Sequence, residues 1–343
     1  MKAARLYGVE DIRIEDIAVP EIAEDEVLIK VKASFICGTD VRFYKNGSPS
    51  DQPLVAGHEI AGVVEKVGSR VGGYKPGMRV GVAPNYGCGV CDLCTSGNSH
   101  MCKESKALGV TVDGGFAEYM RVPAPAVAQG NITELEETIS FEEAALAEPL
   151  SCVYNAYEKI GIYPGDHVLV VGAGPIGLMH LRVAFLAGAA KVYVTDLSEE
   201  RLALAKELIP EVITIPSGEL DEAVKKYTDG RLMDLIITAA SVPVIQETAF
   251  KYVGLNGRVM FFGGLPKGKS VVGLDTNEIH YKQLTVAGTT RQSLRQYRTC
   301  LKLIASGRLK VSDLVTASAP LDKINDIIAN VAAGKGLKSV ITI

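Results

Sequence analysis

The spacing of hydrophobic residues changes twice along the chain. Up to about residue 145, short alternating apolar runs such as EVLIKVKAS are bounded by glycine, proline and other turn residues. This pattern is typical of antiparallel strands joined by irregular loops. Apolar strands then alternate with helices as far as about Gly288, beginning with DHVLVVGAGPIGLMHLRVAFLAGA and KVYVTD. The alternation predicts an α/β fold with a doubly wound parallel sheet, followed by a helical segment and a last strand, SVITI.

Length and charge narrow the class of protein. A chain of 343 residues exceeds what one hydrophobic core usually serves, so two domains are expected. A formal net charge of −4 gives no reason to expect nucleic acid or a membrane surface as a partner. The N-terminal stretch MKAARLYGVEDIRIEDIAVP lacks an apolar signal region, and charges or glycines interrupt every apolar run. We therefore expect a cytoplasmic protein whose cysteines stay reduced.

A glycine-rich turn joins the first strand of the alternating region to its helix. Its residues are Gly172, Ala173, Gly174, Pro175, Ile176 and Gly177. Such a turn lets the backbone approach a pyrophosphate at a helix N-terminus, although a purely structural turn is the alternative. Asp196 ends the next strand, where a carboxylate can bond both ribose hydroxyls and repel a 2′-phosphate. No basic residue directly follows Asp196, so an NAD site is predicted rather than an NADP site, with Arg201 on the following helix as a further candidate cofactor-binding residue.

Four cysteines lie within fifteen positions, at Cys88, Cys91, Cys94 and Cys102. A reducing compartment disfavours a disulfide knot. An iron–sulfur cluster prefers three residues before the last cysteine and a proline after it, whereas seven residues intervene here and Lys103 follows. Four thiolates can close tetrahedrally on Zn²⁺ with no open position. The spacing therefore predicts a structural zinc site.

The order of the motifs identifies a resemblance to a known family. CGTD at residues 37–40 and GHEIAGVVEKVG at 57–68 precede the cysteine-rich segment, and DGGFAEY, EPLS and VVGAGPIG follow it. Over essentially its whole length the chain resembles the zinc-dependent medium-chain dehydrogenases, the alcohol, polyol and threonine dehydrogenase superfamily. EPLS, at residues 148–151, is most similar to the sorbitol and polyol branch.

The resemblance implies a domain organisation. A GroES-like catalytic domain is expected over residues 1–146 and 289–343, with the structural zinc lobe at 86–103. A Rossmann domain that binds NAD is expected at 147–288, inserted between the two parts of the catalytic domain. The family's active site lies where these domains meet.

The resemblance also implies a second, catalytic zinc. Its ligands would be Cys37, His58 and one carboxylate, either Glu59 or Glu148, with the other carboxylate further away or joined through water. An open position would remain for water or the substrate oxygen, as catalytic zinc requires. Thr39 resembles the hydroxyl that passes the alcohol proton toward solvent.

Three positions depart from the family's pattern or lack a fixed role. Arg42 stands where the family often has a histidine that completes the proton relay, and arginine cannot deprotonate near neutrality. We expect Arg42 to contact a cofactor phosphate or a charged substrate instead. Asn155 stands where the sorbitol branch commonly has histidine. Arg291 lies either in a loop that reaches the active site or on the solvated surface.

The expected activity is oxidation of a secondary alcohol, in a polyol or related sugar derivative, to the ketone with NAD. L-Threonine 3-dehydrogenase and 2,3-butanediol dehydrogenase are the alternatives within the family, and a non-catalytic regulator that binds NAD or zinc is the alternative from another class. Two zinc ions per subunit and a homodimer or homotetramer are expected. Loops near residues 42–55, 110–120 and 289–296 would shape the substrate pocket.

Overall fold

The computed structural model describes residues 1–48 and 52–343, which fall into two compact units. The first unit comprises Met1–Ser151 and Arg291–Ile343, and the second comprises Cys152–Thr290. Residues 49–51 of the predicted specificity segment 42–55 lie outside the described residues. Among the described helices, none has both the length and the hydrophobicity needed to cross a membrane.

The strands and the helices are each numbered in chain order and have the following bounds. The strands are β1 (Lys2–Gly8), β2 (Asp11–Asp16), β3 (Val27–Phe35), β4 (Leu54–Val55), β5 (Glu59–Val67), β6 (Arg79–Val82), β7 (Asn85–Tyr86), β8 (Lys106–Ala107), β9 (Tyr119–Val122), β10 (Ile132–Glu134), β11 (His167–Val171), β12 (Lys191–Asp196), β13 (Ile213–Pro216), β14 (Met233–Thr238), β15 (Val253–Phe261), β16 (Thr285–Gly288), β17 (Val315–Pro320) and β18 (Lys338–Thr342). The helices are α1 (Gly38–Asn46), α2 (Asp92–Thr95), α3 (Ala124–Gln129), α4 (Phe141–Ala145), α5 (Ala147–Ile160), α6 (Pro175–Leu186), α7 (Glu199–Leu208), α8 (Leu220–Tyr227), α9 (Pro243–Thr248), α10 (Thr276–Tyr281), α11 (Leu294–Ala305) and α12 (Ile324–Ala332).

The first unit is built around strand β3. Its sheet has the order β10-β6-β5-β3-β18-β17, and β9 also pairs with β3. Every pairing of β3 is antiparallel, which confirms the predicted antiparallel β region, whereas β17 and β18 form a parallel pair that the sequence did not indicate. Val27, Ile29 and Val31 alternate along β3 and are fully buried. Because β3 has β5 on one side and β18 on the other, residues from distant parts of the chain meet at its end.

The second unit is a parallel sheet of six strands in the order β13-β12-β11-β14-β15-β16. This order, with helices connecting the strands, confirms the predicted α/β doubly wound fold. The sequence missed β16, because the segment TVAG is short and only half-buried. Helix α5, which ends the first unit and begins the second, carries Glu148 and Pro149 in its first turn, where a proline costs no helical hydrogen bond.

His180 is a buried histidine in the interior of α6. Its ring packs edge-on against Phe262 with centroids 4.6 Å apart, and its Nε2 has no hydrogen-bond partner among the described residues. Burial lowers the pKa of His180 to about 3. The imidazole is therefore neutral in the folded protein near neutral pH.

We expect His180 to make the protein sensitive to mild acid. The unfolded chain binds a proton at this residue near pH 6.5, whereas the folded protein does not, so stability is fully present above that pH and is lost as the pH falls toward 3. Between pH 7 and pH 5 the loss should be about 2 kcal/mol. Urea unfolding of His180→Leu at both pH values should show a smaller pH dependence than the wild type by that amount.

The exposed His280 provides the control for this experiment. His280→Gln should leave the difference between pH 7 and pH 5 unchanged, because an exposed imidazole has little to gain from unfolding. An equal pH dependence in wild type and His180→Leu would contradict the prediction.

Candidate active site and zinc lobe

The register of β3 and β5 brings the first candidate ligands together. Phe35 near the end of β3 pairs with Glu59 at the start of β5, so Cys37 and His58 also lie at this end of the two strands. One ligand atom from each of Cys37, His58 and Glu59 lies within 4.8 Å of the others. His58 and Glu59 are buried and Cys37 is half-buried. The structure thus brings the Cys37 thiol to an imidazole and a carboxylate that lie 21 and 22 positions further along the sequence.

Asp40 organises two of these residues, a role that the sequence analysis did not assign to it. Cys37 is the N-cap of α1, and its backbone N–H donates to the Asp40 carboxylate at 2.8 Å. The same carboxylate lies 3.6 Å from His58 Nδ1, which is an ion-pair distance rather than a hydrogen bond. Burial lowers the pKa of His58, but the charges of Asp40 and Cys37 outweigh it and raise this pKa well above its usual value. The aspartate ending CGTD was the signal available in the sequence.

Glu148 lies near this cluster but outside the group of atoms within 4.8 Å. Its Oε1 accepts a hydrogen bond from Gln292 Nε2 at 3.0 Å. Burial raises the pKa of the Glu148 carboxyl to about 7, against the attraction of His58. Gln292 was not found from the sequence, because nothing in its neighbourhood marks a buried amide that bonds a carboxylate 144 positions away.

The donor set fits a zinc ion. Thiolate, imidazole and carboxylate are the ligands that Zn²⁺ takes in proteins. Two buried side-chain atoms of these residues, His58 Nδ1 and Glu59 Oε2, make no hydrogen bond in the described part of the chain, and each lies at ion-pair distance from a charged group, Asp40 and Lys338 respectively. The fit to zinc therefore rests on the kinds of ligand atom and on their grouping within 4.8 Å.

Lys338 is a further residue that the sequence analysis missed. It begins β18, the other neighbour of β3, and its Nζ lies 2.6 Å from Glu59 Oε1. Burial lowers the pKa of Lys338, but the charge of Glu59 outweighs it and raises the pKa above its usual value. Lys338 is therefore a charged ammonium group beside a candidate zinc ligand.

The three side chains that depart from the family's pattern or lack a fixed role make the following contacts. Arg42 Nη2 donates to Thr39 Oγ1 at 2.9 Å, so the arginine contacts the proposed relay hydroxyl itself. Asn155 donates to the Thr290 carbonyl at 3.5 Å. Arg291 Nη1 donates to the His100 carbonyl and to Ser105 Oγ, each at 2.9 Å, and so binds the cysteine-rich segment.

The four clustered cysteines form the second group of candidate ligands. Their sulfur atoms lie within 4.8 Å of one another, with Cys91 Sγ 3.6 Å from Cys94 Sγ and 3.7 Å from Cys102 Sγ, and Cys88 Sγ 4.0 Å from Cys94 Sγ. A disulfide requires about 2.0 Å between sulfurs. Four sulfurs at about 2.3 Å from one zinc ion would stand about 3.8 Å apart. The spacing fits a closed tetrahedral site.

Hydrogen bonds hold residues 86–103, the predicted zinc lobe, in place. N–H groups of Val90 and Cys91 lower the pKa of Cys88 to about 7, which favours the thiolate. Gln129 on α3 accepts from Gly87 N–H at 3.1 Å and donates to Gly87 O at 2.8 Å. A Cβ at Gly87 would lie 2.5 Å from Cys94 Sγ, so this position requires glycine.

The second unit carries the glycine-rich turn between β11 and α6. Gly172 has φ +115°, Gly174 is the N-cap of α6 and Pro175 is its first residue, followed by Ile176. A Cβ at Gly177 would lie 1.8 Å from Gly172 O, so helix and strand could not pack as closely with any other residue there. The N–H groups at the start of α6 are thus available to a phosphate.

Asp196 and Arg201 flank this turn within the same unit. The Asp196 carboxylate accepts hydrogen bonds from Ala173 N–H at 2.8 Å and Ser198 N–H at 2.9 Å. Arg201 Nη1 lies 3.7 Å from where a Cβ on Gly174 would be. The turn, the carboxylate and the guanidinium group therefore occupy one end of the parallel sheet, as the sequence analysis expected of a dinucleotide site.

Comparison with known proteins gives consistent results for both units. Residues 23–131 match the family model described as alcohol dehydrogenase GroES-like domain, and residues 175–306 match that described as zinc-binding dehydrogenase. Sorbitol dehydrogenase of Bacillus subtilis is 33% identical over 332 residues, 95% of this chain and 92% of the relative. L-Threonine 3-dehydrogenase of Bacillus velezensis is 34% identical over 316 residues, 90% of this chain and 89% of the relative. A zinc-binding dehydrogenase from Sinorhizobium meliloti, solved with NADP bound, superposes with a TM-score of 0.91 at 31% identity, covering 100% of this chain and 99% of that one.

Proposed function

Because the chain belongs to the zinc-dependent alcohol dehydrogenase family, near its polyol branch, we propose that it oxidises a secondary alcohol of a polyol or sugar derivative to the ketone with NAD. The observation that carries the proposal is the buried group of Cys37, His58 and Glu59, whose ligand atoms lie within 4.8 Å of one another. A non-catalytic regulator is set aside, because the family and its relatives are dehydrogenases.

The metal and the dinucleotide would supply the two demanding parts of the chemistry. Zinc held by Cys37, His58 and a carboxylate would act as a Lewis acid that lowers the pKa of the alcohol. The nicotinamide would accept the hydride from the carbinol carbon. The reaction balances, since the alcohol loses one proton and one hydride and becomes a ketone.

The protein's own side chains would orient the alcohol and remove its proton. Thr39 has two acceptor lone pairs and one O–H donor. Arg42 occupies one lone pair, so the second remains for the alcohol hydroxyl and the O–H remains to pass a proton on toward solvent. Arg42 cannot carry that proton itself, because its guanidinium group stays protonated. We propose that water completes the relay.

A substrate panel tests the proposed function. NADH formation should be measured with sorbitol, galactitol phosphate, 2,3-butanediol, sugar acids and threonine, with zinc added. The highest kcat/KM should be found with a polyol or sugar derivative. A clear preference for threonine or 2,3-butanediol would assign the chain to one of the two alternatives, and no turnover of any secondary alcohol would contradict the proposal.

The choice of NAD over NADP rests on Asp196. We expect Asp196→Ala to lower kcat/KM with NAD by roughly 10- to 100-fold, because hydrogen bonds to a charged group are worth about 1.5–3 kcal/mol. Activity with NADP should rise or stay constant, because the carboxylate that repels a 2′-phosphate is gone. Steady-state kinetics with both cofactors measure the change.

Glu200→Gln is the matched control, since Glu200 is exposed on the neighbouring helix α7 and its replacement removes the same charge. This variant should keep the wild-type ratio of NAD to NADP activity. A wild-type enzyme that already prefers NADP would overturn the assignment.

A cytoplasmic location and a homodimeric or homotetrameric assembly are also proposed. They are supported by the resemblance to the family and by cysteines that fit metal ligation rather than disulfides. Light scattering after size-exclusion chromatography measures the subunit number directly.

A further inference from the structure

Lys338 is a buried cation beside a candidate metal ligand, where its positive charge opposes the binding of a metal ion. Its side chain is 6% exposed, and its Nζ lies 2.6 Å from each oxygen of Glu59, whose side chain is 1% exposed. Lys338 also donates to the Ile36 carbonyl at 3.2 Å and stands over the Phe35 ring. These contacts fix the ammonium group beside the Cys37, His58 and Glu59 cluster. A cation in this place repels a divalent ion, so it weakens the site it adjoins.

The two oxygens of Glu59 differ in what they can still bind. Oε1 accepts the hydrogen bond from Lys338, whereas Oε2 lies at the same distance from Nζ as an ion pair but makes no hydrogen bond among the residues described. Lys338 therefore balances the charge of the carboxylate, while one of its oxygens makes no hydrogen bond. In such an arrangement, Lys338 and a bound metal ion would compete for the same carboxylate.

We propose that Lys338 is a positioning residue that competes with the catalytic metal for Glu59. The competition makes ligation by Glu59 weak and reversible, so that a coordination position stays open for the alcohol. The inference rests on the proposed function, because it needs a metal held by Cys37 and His58. It goes beyond that function by assigning the control of the third ligand to a residue 279 positions away.

The alternative is that Lys338 only neutralises a buried charge and stabilises the fold. The two roles predict different changes in metal affinity when Lys338 is removed. If Lys338 competes with the metal, removing it leaves Glu59 free to bind the ion, and the ion should be held more tightly even though the protein without metal is less stable. If Lys338 is only structural, stability falls and metal binding stays the same or weakens with it.

The experiment measures zinc release from the purified holoprotein after addition of an excess of a coloured chelator. The phase of release that is missing in Cys37→Ser belongs to this site. In Lys338→Met that phase should be about tenfold slower than in the wild type. In Lys338→Arg, which keeps the charge, it should stay near the wild-type rate.

Arg258 offers a matched control elsewhere in the chain. Its Nη2 pairs with Asp166 at 2.8 Å, and both side chains are 11% exposed. Arg258→Met should lower the melting temperature as Lys338→Met does, but it should leave zinc release unchanged. Cobalt(II) substitution gives a second readout, since a carboxylate joining the metal in Lys338→Met should weaken the visible d–d bands.

The outcomes separate the inference from the proposed function. Slower release and weaker cobalt bands in Lys338→Met support the inference. Unchanged or faster release in Lys338→Met overturns it while leaving the catalytic zinc in place. If Cys37→Ser and wild type release the same zinc in the same phases, the metal site itself is wrong, and the proposed function fails together with the inference.

Discussion

We expect replacement of Cys37 by serine to remove one of the two proposed zinc ions per chain and to lower kcat by about a thousandfold or more. A catalytic metal contributes several kcal/mol to the transition state, and each 1.4 kcal/mol is about a factor of ten in rate. Serine is a poor zinc ligand because its hydroxyl stays protonated near neutrality. Metal analysis by mass spectrometry and steady-state kinetics on the best polyol measure both effects.

Cys300→Ala is the control for this variant. Cys300 is fully buried and belongs to neither group of candidate ligands. The control should keep two zinc ions and an activity close to that of the wild type. A Cys37→Ser protein that retains both ions, or one that turns over the substrate at the wild-type rate, would refute the assignment of Cys37.

Replacing Cys94 by serine will remove the other zinc ion and destabilise the zinc lobe. Three remaining sulfurs cannot close a tetrahedral site, and structural zinc contributes directly to folding free energy. We expect a loss of about 4 kcal/mol or more in the free energy of unfolding. Hydrogen exchange should become faster in residues 86–103, and thermal denaturation should begin at a lower temperature.

Each of the two cysteine variants serves as the experimental control for the other. Cys94→Ser should retain the ion bound through Cys37, and Cys37→Ser should retain normal exchange protection in the zinc lobe. Loss of both ions from either variant would show that the two sites are not independent. Unchanged protection of the lobe in Cys94→Ser would mean that hydrogen bonds such as those of the Gln129 side chain with the Gly87 backbone suffice to hold it.

The parts of this protein that sequence could predict are those fixed by local chemistry. The glycine turn before α6 is such a case, because Gly172 needs a positive φ and Gly177 needs the absence of a side chain. The cysteine spacing is another, since four sulfurs within fifteen positions can meet without help from the rest of the fold. The alternation of strands and helices could be predicted equally well, because each strand or helix has its own hydrophobic period.

What the sequence could not predict depends on strand register between distant segments. Cys37 and Glu59 meet because Phe35 pairs with Glu59, and a shift of one residue would turn the carboxylate to the other face of the sheet. Lys338 and Gln292 had no local signal at all, since each acts on a carboxylate far away in the chain. The resemblance to the family supplied Cys37, His58 and Glu148 as candidates, but not the residues that hold them.

The central place of β3 also bears on the time at which the pocket is completed. Phe35 and its partner Glu59 are close in the sequence, whereas the other partner of Phe35, Val340, is synthesised some three hundred residues later. Contacts of such long range form late, because closing the intervening loop costs entropy before the pairing rewards it. A nascent chain would thus have its thiol and imidazole in position with no ammonium group to restrain the carboxylate. During that interval the proposed metal site would lack the charge of Lys338, which reaches it only when β18 pairs with β3.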